Sequence, residues 1–198
     1  MEEKTFVDDI NRSVYDIKNE ENDSYRIKQG LTPEIVEKIS EEKHDPAWMR
    51  EFRLKSLEIY NNMQVPDWGP SIDGLNMDNI ATYVRANTNM KGDWKDVPEE
   101  IKDTFDRLGI PKAERESLAG VGAQYDSELV YHNVRKEVAD QGVVYTDMES
   151  ALTGEYADMV HEHFMKLITP QDHKFAALHG AVWYGGSFVY VPKGVNLE

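Results

Sequence analysis

Residues 182–191 read Val182-Trp183-Tyr184-Gly185-Gly186-Ser187-Phe188-Val189-Tyr190-Val191, the strongest strand signal in the chain. β-Branched and aromatic side chains suit a pleated, half-buried surface. The Gly185-Gly186 pair predicts a bulge or bend inside the run, and Pro192-Lys193-Gly194 predicts a turn after it. A lone strand leaves its ladder groups unpaired. Apart from the short run Val143-Val144-Tyr145, the chain offers this strand no obvious partner. The expected fold is therefore α+β: a mainly helical domain that stops where a sheet begins. Three segments follow from this reading: a flexible arm over 1–30, a helical domain over 31–181, and a strand piece over 182–198.

Working back from that strand, helical signals dominate. Thr32-Pro33 opens a helix, with Thr as N-cap, Pro at the first position and Glu34 and Glu37 near the positive end of the dipole. Asp45-Pro46 repeats the device ahead of a helix over about 46–62, expected to bury Trp48, Met49, Phe52, Leu57 and Tyr60. One or two helical turns are expected over 78–85. Pro98 to Leu108 reads as a helix closed by Gly109, and Pro111 to Leu118 as a short one. Gly120-Val121-Gly122-Ala123 reads as a connector, and Ser127 to Asp140 as a helix. Glu155 to Ile168 forms an amphipathic pattern with Tyr156, Met159, Val160, Phe164 and Leu167 on one stripe. Thr169-Pro170-Gln171-Asp172 is expected to cap a last helix running to about Ala181. In the arm, Phe6, Ile10, Val14 and Ile17 recur at helical spacing, but Asn19 to Ser24 has no apolar side chain.

Composition excludes several chemistries. Of 198 residues, 22 are Lys or Arg and 37 Asp or Glu, a formal net charge of −15. Such a charge repels phosphate backbones and anionic headgroups, so nucleic acid and acidic membranes are poor partners. There is no cysteine, which removes disulfides, Cys-ligated clusters and thiol nucleophiles from this chain. Met1-Glu2-Glu3-Lys4 has no apolar leader and no long apolar run follows, so the expected location is the cytoplasm.

The candidate ligands are histidines. His161 and His163 lie two residues apart, which on a helix points their rings roughly 200° apart. The helical zinc pattern His-Glu-x-x-His is absent. His173 and His179 fall on the next helix, His173 on a face with Ala176, Ala177 and Gly180 whose small side chains permit close packing. Pairing the two helices would gather His161, His163, His173 and His179 into a cation site. Core-edge structural roles are the competing, and preferred, reading. No carboxylate pair, nucleophile elbow or glycine-rich phosphate cradle stands out, so catalysis by this chain is not expected.

Several blocks carry a resemblance. They are Pro46-Ala47-Trp48-Met49-Arg50-Glu51-Phe52-Arg53-Leu54-Lys55-Ser56-Leu57-Glu58, Trp68-Gly69-Pro70, Asp96-Val97-Pro98-Glu99-Glu100-Ile101-Lys102 and Leu108-Gly109-Ile110-Pro111. Leu118 to Glu128, Lys174-Phe175-Ala176-Ala177-Leu178 and Gly185 to Val195 complete the set. In this order they resemble the SufB family, scaffold subunits of the SUF iron–sulfur cluster assembly system, from about Leu31 to Val195. The resemblance implies a longer protein. In it a helical N-terminal region leads into a right-handed parallel β-helix that pairs with SufD, and a C-terminal part binds the ATPase SufC. A sulfur-delivery protein is a further implied partner, and an iron–sulfur cluster is implied for the whole scaffold. By this resemblance, residues 182–198 begin a truncated β-helix, and the chain itself is a docking module without catalysis. The reading set against it is a small metal-dependent hydrolase or cation-binding protein built on the four histidines.

Overall fold

The structure is a computed structural model describing residues 23–69, 71–87, 89, 91, 93–109, 120–125 and 127–197. Most of the expected arm and the helix expected over 111–118 lie outside the described residues. The chain is α+β, with seven helices and three two-stranded antiparallel sheets described.

Strand β1 (Asp23–Arg26) leads into α1 (Pro33–Glu42) and α2 (Ala47–Asn62). The N-cap of α1 is Thr32, whose hydroxyl accepts from the Ile35 N–H at 3.4 Å, with Pro33 at the first position as expected. Asp45, by contrast, does not cap α2; Pro46 holds that position with no side-chain bond. The segment expected as helical turns over 78–85 gives one 3-10 turn (Met77–Asn79) and then β2 (Val84–Ala86), which pairs with β1. Helix α3 (Glu99–Arg107) ends at Gly109, whose φ of 73° suits glycine there.

The largest departure from expectation is over 120–140. The segment read as a connector followed by a helix is a hairpin, β3 (Gly120–Tyr125) with β4 (Glu128–Val134), and only α4 (Lys136–Ala139) is helical. Val130 and Tyr131 are buried with Ala86, Val97, Ile101 and Ala123, and Trp94 sets its ring edge-on to Phe105 and Tyr131. That apolar layer between α3 and the hairpin decides the backbone conformation against a helical reading of Leu129 to Val134.

Strand β5 (Val144–Asp147), helices α5 (Met148–Thr153), α6 (Ala157–His163) and α7 (Lys174–Val182), and strand β6 (Ser187–Tyr190) complete the order. The strand signal at 182–191 thus resolves into the last residue of α7, a Gly185-Gly186 turn with both φ positive, and a four-residue strand. β6, read from the sequence as a strand with no obvious partner but the run over 143–145, is paired there: Val144 faces Tyr190 and Asp147 faces Ser187, antiparallel. No turn of a parallel β-helix is formed among the described residues. The main core lies where α2 packs on α7, with Met49, Leu57, Ala151, Leu152, Val160, Ala181 and Trp183 buried around it. No described helix is long and apolar enough to cross a membrane.

Candidate functional site

The α2–α7 contact positions everything around the histidines. α7 presents Ala176, Ala177, Gly180 and Ala181, all buried. A Cβ added at Gly180 would stand 2.6 Å from Ser56 Oγ and 3.0 Å from Ser56 Cβ, so α7 lies against the Ser56 side chain with no room for one of its own there. The expected close packing of this small-residue face is what the structure shows.

Arg53 of α2 crosses that contact. Its side chain and that of Asp45 are both 0% exposed, and Arg53 Nε donates to Asp45 Oδ2 at 2.6 Å. Nη1 donates to the carbonyls of Trp183 at 2.9 Å and Ala181 at 3.4 Å, and the guanidinium lies 4.8 Å from the Trp183 ring. Asp45 therefore serves as counter-ion rather than cap. Reciprocally, Lys174 of α7 donates to the Tyr60 and Met63 carbonyls at 2.9 and 2.7 Å, satisfying the C-terminal end of α2. Neither role was read from the sequence. The available signal was an Arg on the helix face that carries Met49 and Leu57, with Asp45 eight residues before it.

Three of the four candidate histidines share a surface cleft. His163, His173 and His179 line a cavity of ≈ 500 Å³ together with Lys166, Leu167 and Phe175. His161 is elsewhere, its ring stacked 4.3 Å from Trp48. This separation is the one expected from the i, i+2 spacing. His173, rather than Thr169 to Asp172, is the N-cap of α7: its Nδ1 accepts from the Ala176 N–H at 3.2 Å, and its Nε2 faces Asp172 at 3.6 Å. His179 is exposed along the cleft, yet desolvation of its imidazole and then the nearby Arg53 charge lower its pKa from the ordinary 6.5. No group of three or more His, Cys, Asp or Glu side chains able to hold a metal ion occurs among the described residues.

The cleft exists because α6 stops early. The amphipathic pattern predicts helix to Ile168, with Leu167 on the buried stripe. Instead α6 ends at His163, and Phe164 turns into extended backbone (ψ 124°) with its ring against Trp48, Phe52 and Trp183. Met165 follows with φ 47°. Anchoring Phe164 in the aromatic cluster breaks the helix, and Leu167 ends fully exposed.

On the other side of Met165 a second cavity of ≈ 420 Å³ is lined by Met148, Met159, Met165, Phe164, Phe188 and Val189, with Val160 and His163. A smaller polar pocket, ≈ 130 Å³, lies between the β3–β4 hairpin and the β5–β6 pair and takes Gln124, His132, Tyr145, Asp147 and Ser187. There the Tyr145 hydroxyl meets Ser187 Oγ at 3.3 Å, and Asp147 Oδ1 accepts from the Ser150 N–H as N-cap of α5. The β5–β6 sheet that bounds both spaces is tied down by Glu149, which accepts from the Gly185 N–H at 2.7 Å and pairs with Lys43 at 3.3 Å.

Comparison with known proteins bears on what these surfaces serve. Residues 35–198 match the family of SufBD protein N-terminal regions. Over 190 residues the chain is 52% identical to the iron-sulfur cluster assembly protein SufB of Bacillus subtilis, covering 96% of this chain and 41% of that protein. It is 46% identical over the same span to an iron-sulfur cluster assembly SufBD family protein of Staphylococcus haemolyticus, and 45% to one of Staphylococcus aureus USA300. In both of these, too, it covers 96% of this chain and 41% of the relative. The chain thus spans about two fifths of the length of these relatives.

Proposed function

The chain belongs to the SufBD family, as an N-terminal portion similar to SufB, and from that premise we propose that it is the docking region of an iron–sulfur cluster assembly scaffold, with no catalysis of its own. The observation that carries this reading is the relationship itself, 52% identity along 96% of the chain. The chemistry of the chain supports it. With no cysteine, these 198 residues offer no thiolate to a nascent cluster, the cargo of such a scaffold. What they do offer is a closely packed α2–α7 core and surface clefts.

In the whole scaffold, SufC, SufD and a sulfur-delivery protein would be partners, in the cytoplasm. Residues 182–198 would lead toward the parallel β-helix, with the β5–β6 pair as its anchor to the helical core. The hydrolase or cation-binding reading is not favoured, because His161 lies against Trp48 while the other three candidate histidines line a separate cleft.

Two measurements test the proposal. Anaerobic incubation with ferrous iron and sulfide is expected to leave no cluster absorption after desalting; a stable chromophore with stoichiometric sulfide would overturn the cargo-free reading. Titration against SufC, SufD and the sulfur-delivery protein at two salt concentrations is expected to give weaker binding than the full scaffold. Residual binding should fall steeply with salt, since screening shortens from ~10 Å at 0.1 M to ~3 Å at 1 M. Absence of binding to all three at low salt would remove the docking role.

A further inference from the structure

The methionine-lined cleft beside α6 brings together an apolar cavity, exposed apolar side chains and exposed carboxylates. Met148, Met159 and Met165, three of the eight methionines, face one cavity of ≈ 420 Å³ floored by Phe164 and Phe188. Unbranched, polarizable thioethers re-pack around differing apolar shapes, which is why such surfaces accept helical ligands. The neighbouring cleft shares His163 and Met165 with it and adds Leu167 and Ile168, 100% and 62% exposed. Val189, on the far wall, is 59% exposed. Single exposed apolar side chains are ordinary, but these are contiguous with an apolar cavity. Met165 holds a left-handed backbone (φ 47°), a conformation uncommon for a long side chain, and in it lines both clefts.

Charge selects the occupant. Met159 and His163 are one helical turn apart on the cleft side of α6; Asp158 and Glu162 are one turn apart on the adjacent stripe. Together with Glu155 these carboxylates are exposed and make no ion pair among the described residues. Other carboxylates are of both kinds: Glu37, Glu42 and Glu58 pair with a Lys or Arg, while Glu51 and Asp140 are exposed and make no ion pair among the described residues. What sets Asp158 and Glu162 apart is their place beside the apolar cleft. Lys166 is the lone lysine or arginine among the described lining of the two clefts. An apolar groove edged by unpaired carboxylates, on a chain of net charge −15, fits a basic amphipathic helix.

We propose that this cleft docks an amphipathic helix of a partner protein, its apolar ridge seated among Met148, Met159 and Met165 and running past Met165 onto Leu167 of the adjoining cleft, its flanking lysines or arginines paired with Asp158 and Glu162. Ridge side chains at i, i+4 and i+7 span about 10 Å, a span a groove of this kind accommodates. This deepens the docking reading above by naming its surface and the chemistry of its partner.

The test uses the full chain and two designed helical peptides with the same leucine and phenylalanine ridge, one flanked by lysines and one by glutamates. Fluorescence anisotropy is expected to give at least tenfold tighter binding of the lysine peptide. Leu167→Asp and Met159→Asp should each weaken it at least tenfold. Leu167 is fully exposed, so its variant folds even if the Met159 variant does not. The double variant Asp158→Lys/Glu162→Lys should reverse the preference toward the glutamate peptide. Equal binding of both peptides, or binding that survives Leu167→Asp, overturns the proposal. So does light scattering that shows a dimer abolished by Leu167→Asp, which makes a second copy the occupant. Failure here with intact binding of SufC, SufD or the sulfur-delivery protein breaks this inference alone; the reverse outcome breaks the docking reading of the scaffold and leaves the groove.

Discussion

The α2–α7 contact and the α6 cleft lie side by side and use similar residue types to opposite ends. In the contact, a cation, a carboxylate and small side chains are turned inward. The side chains of Arg53 and Asp45 are wholly buried against each other, and Gly180 leaves room for the Ser56 side chain. At the cleft, carboxylates and large apolar side chains are turned outward, with Leu167 fully exposed and Asp158 and Glu162 unpaired. The difference teaches which region stores stability and which is available for recognition. Polar groups paired inside hold the fold, because an unpaired buried charge costs several kcal/mol. Polar groups left unpaired outside cost little and remain open to a partner.

The contact breaks most severely at Arg53. Removing one partner of a buried ion pair strands the other charge, which costs about 3–5 kcal/mol. Arg53→Ala also leaves the Trp183 carbonyl without its donor and uncovers the Trp183 ring. Urea unfolding of Arg53→Ala is expected to show a loss of that size, and Asp45→Ala a similar one. The double variant Asp45→Ala/Arg53→Met should recover much of it, because no charge is then buried alone. Additive losses in the double variant would show that the two side chains do not act as a pair.

Gly180 tests the same contact more gently. An alanine there adds one methyl group at 2.6 Å from Ser56 Oγ, whose hydroxyl donates to the Phe52 carbonyl at 2.8 Å. Helix propensity favours alanine by about 1 kcal/mol. Overpacking costs about 1–3 kcal/mol, and because the obstacle includes Ser56 Cβ at 3.0 Å rather than a flexible chain end, overpacking should win. Gly180→Ala is expected to lower the unfolding midpoint, and Ser56→Gly in that background to restore part of it. A raised midpoint for Gly180→Ala alone would mean that the helices separate freely.

Legibility in the sequence follows the same division. The caps and the close-packed face were readable because their causes are local: Thr32-Pro33 at α1, Gly109 after α3, and small residues at helical spacing on α7. The pairing of 187–190 with 144–147 was readable because few β-type runs compete for it. Leu129 to Val134 misled because a run of this length suits helix or strand until the apolar layer of Trp94, Ile101 and Phe105 is placed against it. Leu167 misled for a comparable reason. The periodicity continued past His163, but the aromatic cluster around Phe164 outweighed it. At the candidate site, the divergence of His161 and His163 followed from helical geometry alone. The methionine cleft did not, because its walls come from α5, α6 and β6, which are far apart in sequence.

His179 stands on the border of the two regions, carried by α7, lining the histidine cleft and facing the Arg53 charge, and it should show the smallest effect. Desolvation first, and Arg53 second, lower its folded pKa below the ordinary 6.5. Above 6.5 the imidazole is neutral in folded and unfolded chains alike, so pH has no leverage through it. As pH falls through 6.5 the unfolded chain takes up a proton that the folded chain still refuses, and stability declines until the folded pKa is passed. The slope of stability against pH is therefore positive in the window just below 6.5. Urea midpoints of the parent chain and of His179→Gln, measured from pH 7.5 to 5.0, should show the parent falling more than the variant as pH drops below 6.5. Parallel curves would mean that the imidazole is not desolvated in the folded chain. That outcome would leave His179 as an exposed imidazole of the cleft that the Arg53 charge does not reach.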